Sequence, residues 1–253
     1  CGGNTADTEF EFLTGNTMAF LPVGSIPYQQ YIKSKTPSLA SYLKSIGYAT
    51  YAQHPYYSSG WNRDTVYPLL GFDNLSFMQD YSNQRFVREY ISDETSFDKI
   101  IETYENKPDG QPAFIFNVTM QNHGGYTNTY YGFDNTVTAD KLNNSALDQY
   151  LSLIKLTDED LKNLIEYFSN ALFLQQTAWI ITIYPMKSLS CVIRCRMLSG
   201  QIMILMRLQE KTRASIIWLQ TYLKRQVCRQ MTTRAFCLSC RRSILLYQRY
   251  ARI

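Results

Sequence analysis

Asparagine and aspartate are missing from residues 171–253 of this 253-residue chain, and that stretch holds a single glycine, Gly200. A folded segment of that length needs turns and helix caps, and these are the residues that build them. Histidine is scarce: the chain has 2, His54 and His123. Of the 6 cysteines, all but Cys1 lie beyond residue 190, which excludes a disulfide scaffold for the first part. No run of 18 apolar residues occurs. The best candidate, Ala171 to Tyr184, is too short to span a bilayer and is broken by Gln175 and Gln176. A secretory leader, with a basic start and an apolar run, is also missing. The chain begins at Cys1 rather than Met, so an upstream segment, with any membrane anchor, is expected to be lacking.

The net charge of +4 averages two unlike parts. Residues 1–170 hold 11 basic and 20 acidic residues, a net of −9, whereas residues 171–253 hold 14 basic residues against Glu210 alone, a net of +13. Only the first part has the acidic, Tyr- and Asn-rich composition of an ordinary secreted globular domain. The chain is therefore expected to divide into a domain at 1–170 and an aberrant basic tail at 171–253.

We hypothesise that the tail is translated from a shifted reading frame and is not natively folded. Reading the last base of each codon with the first two of the next turns Trp218 into Leu or Met and Met231 into Asn or Asp. Thr232 and Ile180 are then forced to Asp, and Lys187 to Glu. Turn and cap residues return where the present tail has none. A continuous frame through codon 171 in the encoding DNA would remove this hypothesis. The functional alternative is a basic arm for nucleic acid or anionic lipid, with Cys191, Cys195, Cys237 and Cys240 as a zinc site. The two pairs lack the regular spacing that makes a zinc motif specific, and no histidine accompanies them.

Within 1–170 the apolar pattern predicts helices alternating with short strands, an α/β layered fold whose sites gather at strand C-terminal ends. Asn4-Thr5 followed by Asp7, Glu9 and Glu11 reads as a capped helix start, with Phe10, Phe12 and Leu13 inward and Gly15 as the stop. Residues 16–36 read as loop. Further helices are expected from Thr36-Pro37 to Ile46, over 61–70, over 92–106, and over 142–168 with an interruption near Thr157. Tyr48–Gln53 and Pro112–Met120 are the strand candidates.

Four places in this pattern could carry chemistry. Thr5, at a helix N-terminus, is an ordinary cap residue, yet the same position suits a hydroxyl nucleophile beside an anion-attracting helix tip. His54 and His123 each follow a predicted strand; a lone histidine is usually structural or simply exposed, but two at strand ends of one domain suggest a site. Trp61-Asn62-Arg63-Asp64 offers a stacking surface and a guanidinium able to grip phosphate or sulfate, or else a plain helix start with an Arg63–Asp64 ion pair. The tyrosines of 125–131 could line a sugar or headgroup cleft, or be surface.

Three ordered segments resemble the lipoteichoic acid synthases and related phosphoglycerol transferases, in the sulfatase branch of the alkaline phosphatase superfamily. Gly2-Gly3-Asn4-Thr5-Ala6-Asp7 resembles the nucleophile segment, His54 with Gly60 to Tyr67 the headgroup-binding segment, and Asn117 to His123 the strand-and-histidine segment. The resemblance implies a layered α/β/α domain, here incomplete. It makes Thr5 the nucleophile and a metal ligand, and His54, Trp61, Arg63 and His123 the substrate-binding residues. It also implies a divalent metal, with Mn expected and Mg or Zn as alternatives, and an anionic phospholipid or a sulfate or phosphate ester as substrate. No nucleic-acid partner is implied, and the domain would face the outside of a cell membrane, anchored through N-terminal helices that this chain lacks. Tyr56 stands where the family has an acidic headgroup contact, a departure that bears on glycerol-phosphate specificity. The Gly-Asp-His segment that should follow soon after Asn170 is missing, leaving one of four expected metal ligands, and the chain as it stands is expected to be inactive. Ester hydrolysis and non-catalytic glycan binding are the competing readings.

Overall fold

The computed structural model describes residues 4–139 and 142–171, with side chains through 168, and the backbone of strands 178–184, 197–198 and 201–208. The core of the fold is β5 (Ala113–Val118), buried at every position. Its neighbours are β1 (Ala49–Gln53), parallel to it with Ala49 opposite Ala113, and β6 (Ala178–Tyr184), parallel with Ala178 opposite Ala113. Outside β1 lies β2 (Asn74–Ser76), also parallel, and outside β6 the antiparallel β8 (Gln201–Leu208) and β7 (Met197–Leu198). The order across this sheet is β2-β1-β5-β6-β8-β7. A separate hairpin pairs β3 (Phe86–Val87) with β4 (Tyr90–Ile91).

The two-residue alternation of β5 divides the core into two layers. Phe114, Phe116 and Val118 pack in a cluster with Ala6, Phe10 and Leu13 of α1 (Thr5–Thr14), Tyr28 of α2 (Pro27–Gln30), Ala40 and Leu43 of α3 (Leu39–Ser45), and Val66 and Tyr67 of α4 (Arg63–Leu69). Ala113 and Ile115 point the other way, to Phe97 and Ile100 of α5 (Asp93–Glu105) and to Leu161, Leu164 and Phe168 of α6 (Ser145–Ala171). Helices on both faces of a mainly parallel sheet bear out the α/β layering that the pattern predicts and make the α/β/α sandwich that the resemblance implies. Each buried Phe or Leu in such layers stabilises the fold by about 1.5–3 kcal/mol.

Several local expectations change in detail. Asn4 does not cap α1 with its side chain; its amide donates instead to Asp7 Oδ2 at 3.1 Å. Gly15, at φ 71°, ends that helix as expected. The helix foreseen from Thr36 starts later, capped by Ser38 and Ser41, and the 16–36 loop contains the single turn of α2. Gly71, at φ 96°, lets the chain pass Ser41 so closely that a Cβ would lie 2.7 Å from its Cα. The break expected near Thr157 does not occur, because α6 runs unbroken. Thr157 interrupts the apolar period for another reason: its hydroxyl donates to Asp93 Oδ2 at 2.7 Å across the interface with α5. Among the described residues no helix is long and apolar enough to cross a membrane. The rest of 171–253, including the cysteine pairs and most of the segment assigned to a shifted frame, lies outside the described residues.

Candidate functional site

Parallel pairing of β1 with β5 brings the residues after Gln53 and after Val118 to one edge of the sheet. His54 follows β1 directly and is 2% exposed. Its backbone N–H donates to Ser76 O at 2.9 Å, and Nδ1 lies 2.8 Å from Val118 O. A carbonyl only accepts, so Nδ1 carries the proton and Nε2 the lone pair. Burial, with the positive charge of Arg63 and the proximity of His123 adding to it, holds the ring pKa well below 6.5. His54 is therefore neutral at pH 7. It can accept a hydrogen bond from a hydroxyl, but it does not neutralise an anionic oxygen.

Arg63 opens α4 and is also 2% exposed. Its Nε donates to Glu9 Oε2 at 3.2 Å, its Nη2 to Glu9 Oε1, and its Nη1 to Gly60 O at 3.1 Å. Tyr67 OH adds a 2.8 Å hydrogen bond to Glu9 Oε2. Neither the Asp64 partner nor a free phosphate grip is realised. A fork–fork pair with Glu9 occupies the guanidinium, and Asp64 Oδ1 accepts from Thr65 N. Removing either ion would strand the other in the core. The preceding Trp61 and Asn62 adopt left-handed φ values of 57° and 64°. A bulky aromatic there is an outlier, and such strain clusters at ligand clamps. Trp61 itself is partly buried against the α1–α4 core layer.

Glu9 thereby ties helix α1 to the loop that follows β1. Thr5 lies one turn nearer the tip of α1 than Glu9, on the same face of the helix, and is half-buried. Phe12, toward the other end of α1, stacks on Phe116 in the middle of β5 at 6.1 Å between centroids. The helix thus runs from the strand C-terminal edge, marked by Arg63 and His54, down over the sheet, with its positive tip at that edge.

His123 is exposed. Its N–H donates to Met120 O at 2.9 Å, and its Nδ1 shares a 3.2 Å hydrogen bond with Tyr90 OH of β4. Arg88, between β3 and β4 at φ 59°, donates to three carbonyls of this loop: Gln121 O at 2.7 Å, His123 O at 2.8 Å and Gly125 O at 3.2 Å. The same guanidinium sits 5.4–5.7 Å from the ring centres of Tyr90, Tyr126 and Tyr130. Beneath the loop, Asn122 Nδ2 donates to Thr157 Oγ1 at 2.7 Å, and Gln121 Oε1 accepts from Asp93 N at 2.9 Å. Burial pushes the Asp93 carboxyl up to about 7, against the opposing hydrogen bond from Thr157.

A divalent metal, implied by the resemblance, does not fit the described residues. Among the described residues no group of three or more His, Cys, Asp or Glu could hold an ion, and Glu9, the carboxylate one turn from Thr5, is paired with Arg63.

A family model described as sulfatase matches residues 1–177. The chain belongs to the sulfatase family. Among the proteins this sulfatase-family chain is similar to is one from Rhizobium meliloti, provisionally described as a cyclic beta-1,2-glucan modification protein. The two are 38% identical over 170 residues, 66% of this chain and 26% of the relative. The lipoteichoic acid synthase LtaP from Listeria monocytogenes shares the fold with a TM-score of 0.61 and 19% identity, over 75% of this chain and 45% of that one. The Streptococcus pyogenes phosphoglycerol transferase GacH, solved with sn-glycerol-1-phosphate, does so with a TM-score of 0.57 and 23% identity, over 72% and 48%. The chain spans about a quarter of the length of its curated relative and under half of each solved chain. These likenesses agree with the resemblance drawn from the three motifs and with the layered α/β/α architecture, and they place the chain in a family of enzymes.

Sequence reasoning missed the groups that hold the site. In sequence Glu9 reads as an acid favouring a helix start, although it follows Ala6 by three residues and precedes Leu13 by four, a charged residue on the apolar face. Nothing in the local pattern marks Arg88 and Tyr90, which act from a hairpin more than thirty residues before the loop they hold.

Proposed function

We propose that this chain is part of an enzyme that transfers a phosphoryl-containing headgroup, glycerol phosphate in the nearest reading, from a phospholipid to an acceptor hydroxyl at the outer face of the cell envelope. The Thr5 oxygen forms the new bond to phosphorus while the bond to the diacylglycerol-like oxygen breaks, and the departing oxygen takes up the proton that Thr5 gives up. An acceptor hydroxyl then attacks the same phosphorus. The Thr5–phosphorus bond breaks, and the acceptor's proton ends on Thr5. His123, exposed at the edge, offers a ring N–H to the phosphoryl oxygens, and His54 offers Nε2 to the hydroxyl that arrives or leaves. Arg63 acts by holding Glu9, and so the α1 tip, in place.

The observation that carries this reading is the Glu9–Arg63 pair, which fixes the helix bearing Thr5 against the strand edge where His54 sits. Names among the similar proteins support the substrate class: a glucan modification protein, a lipoteichoic acid synthase and a phosphoglycerol transferase. The test is intact-mass detection of a phosphoglycerol adduct after the full-length protein meets phosphatidylglycerol vesicles. We expect Thr5→Ala to lose both adduct and turnover, and Thr5→Ser to retain part of each. An adduct persisting in Thr5→Ala refutes the assignment; release of the group only to water would favour ester hydrolysis.

A further inference from the structure

Along the α5–α6 face of β5 the side chains change from apolar to polar toward the strand's C-terminal edge. Ala113 and Ile115 join the apolar cluster with Phe97, Ile100, Leu161 and Leu164. Asn117 instead accepts from Ser96 Oγ of α5 at 3.1 Å. In the loop beyond, Gln121 and Asn122 are 0% and 1% exposed. An apolar filling would serve stability as well, because a buried hydrogen bond gains little net energy and each polar atom left unmade is costly. What a satisfied polar network adds is one fixed geometry.

The polar contacts of the loop converge on Thr157, half-buried in the middle of α6. Its hydroxyl has a single proton, which goes to Asp93 Oδ2 at 2.7 Å. Its lone pairs accept from Asn122 Nδ2 at 2.7 Å and from Gln121 Nε2 at 3.3 Å. The direction of each bond is thereby fixed: both amides donate to Thr157, and Thr157 donates to Asp93. Gln121 is held at its other end too, where Oε1 accepts from Asp93 N in the first turn of α5. Two helices thus grip the side chains of the two residues that precede His123. From the hairpin side, Arg88 grips the carbonyls of Gln121 and His123.

We infer that Thr157 is a positioning residue for the transfer: through Gln121 and Asn122 it sets where the His123 ring stands at the sheet edge. It acts from beneath the loop and touches no reacting atom. Its effect on rate rests on the transferase reading, whereas the place of the His123 ring can be read without turnover. A misplacement of about 1 Å at a reacting centre can cost roughly a hundredfold in rate, so a contact that only fixes a loop acts on kcat.

The test replaces the hydroxyl. Thr157→Val keeps the side-chain shape and leaves both amides without their acceptor, while Thr157→Ser keeps the acceptor. On the full chain, nitrogen and proton NMR signals of the two histidine rings should move for His123 alone in Thr157→Val and return in Thr157→Ser. In the full-length protein with phosphatidylglycerol vesicles, Thr157→Val should lower kcat about 10- to 100-fold and leave KM within about twofold. Thr157→Ser should recover kcat to within about threefold of wild type. Assays held well below each variant's denaturation midpoint keep loss of folded protein out of the comparison. His123 signals that stay in place in Thr157→Val overturn the inference, as does an unchanged kcat. So does a Thr157→Ser variant that behaves like Thr157→Val, or a shift of both histidines together, which marks a structural role only. If the wild type forms no adduct and shows no turnover, the transferase reading fails, and the His123 spectra still decide the positioning.

Discussion

The loops after β1 and after β5 each place a histidine at the same edge of the sheet, yet they are built on opposite principles. The first is enclosed: His54 is 2% exposed and neutral, and the arginine of its segment is neutralised by a buried carboxylate. The second is clamped from outside, with His123 exposed and Arg88 gripping backbone carbonyls rather than an acid. One residue type at one topological position thus acquires two environments, a buried neutral ring whose Nδ1 donates to a backbone carbonyl and an exposed ring that shares a hydrogen bond with a tyrosine hydroxyl. The element that packs over each loop makes the difference. For the first loop that element is α1, and for the second it is the β3–β4 hairpin.

The largest expected effect breaks the enclosed loop. Glu9→Ala should leave Arg63 charged and unpartnered in the core, at a cost of about 3–5 kcal/mol. Chemical denaturation should show this as a lower midpoint, with hydrogen exchange accelerated in α1 and α4. A loss below about 1 kcal/mol would mean that water or another acceptor reaches Arg63, and the enclosed picture would fail.

How much of this was legible in the sequence follows from the range of the interactions. Periodicity within ten residues gave α1, α5, β1 and β5 nearly to their ends, because their apolar faces are local patterns. Thr5, His54 and His123 were found as chemically capable residues at element boundaries. The role of Arg63 was not, since its partner Glu9 is 54 residues away, and a guanidinium able to hold phosphate looks the same in sequence as one holding a carboxylate. Thr157 shows the same limit. Its place in the apolar period reads as a break in α6, whereas it is a polar contact to Asp93, 64 residues earlier.

The second prediction uses pH to contrast what lies beneath each loop. Asp93, under the His123 loop, has its pKa raised from 3.8 to about 7 in the fold. The folded state therefore holds a proton that the unfolded chain has released. This contribution is complete below pH 3.8 and is lost as pH rises through about 7. The gap corresponds to roughly 4 kcal/mol, the cost of ionising a buried acid. His54 works in the other direction. Its folded pKa is lowered, so its contribution is present above 6.5 and is lost as pH falls. Between about pH 4 and 6.5 the two slopes oppose, so the wild-type profile should be nearly level there. Asp93→Asn should expose a loss of stability as pH falls below 6.5, and His54→Gln a loss as pH rises toward 7, as read from denaturation midpoints between pH 4 and 8. A profile unchanged in Asp93→Asn would show that this carboxyl is ionised in the native state.

Breaking the clamp should cost less than breaking the enclosed pair. Arg88→Ala leaves three carbonyls to find water, and two of them belong to exposed residues, so a global loss of about 1–2 kcal/mol is expected. The local effect should be larger than the global one. Amide exchange should rise across 121–126, while α1 and α4 stay protected. Uniform destabilisation would contradict the idea of two independently held loops.

The smallest effect is the most diagnostic. Tyr90→Phe removes one hydroxyl from a half-buried ring and should change stability by no more than about 1 kcal/mol. That hydroxyl, however, meets His123 Nδ1 at 3.2 Å and fixes which ring nitrogen faces outward. With two histidines in the chain, and His54 buried, the His123 ring signals can be assigned by comparison with His54→Gln. We expect Tyr90→Phe to alter the His123 ring tautomer, seen in its nitrogen chemical shifts, without moving those of His54. If the His54 signals shift as well, the two loops are coupled through the Tyr56–Tyr90 contact, whose ring centres are 6.1 Å apart, and the contrast between them is one of degree.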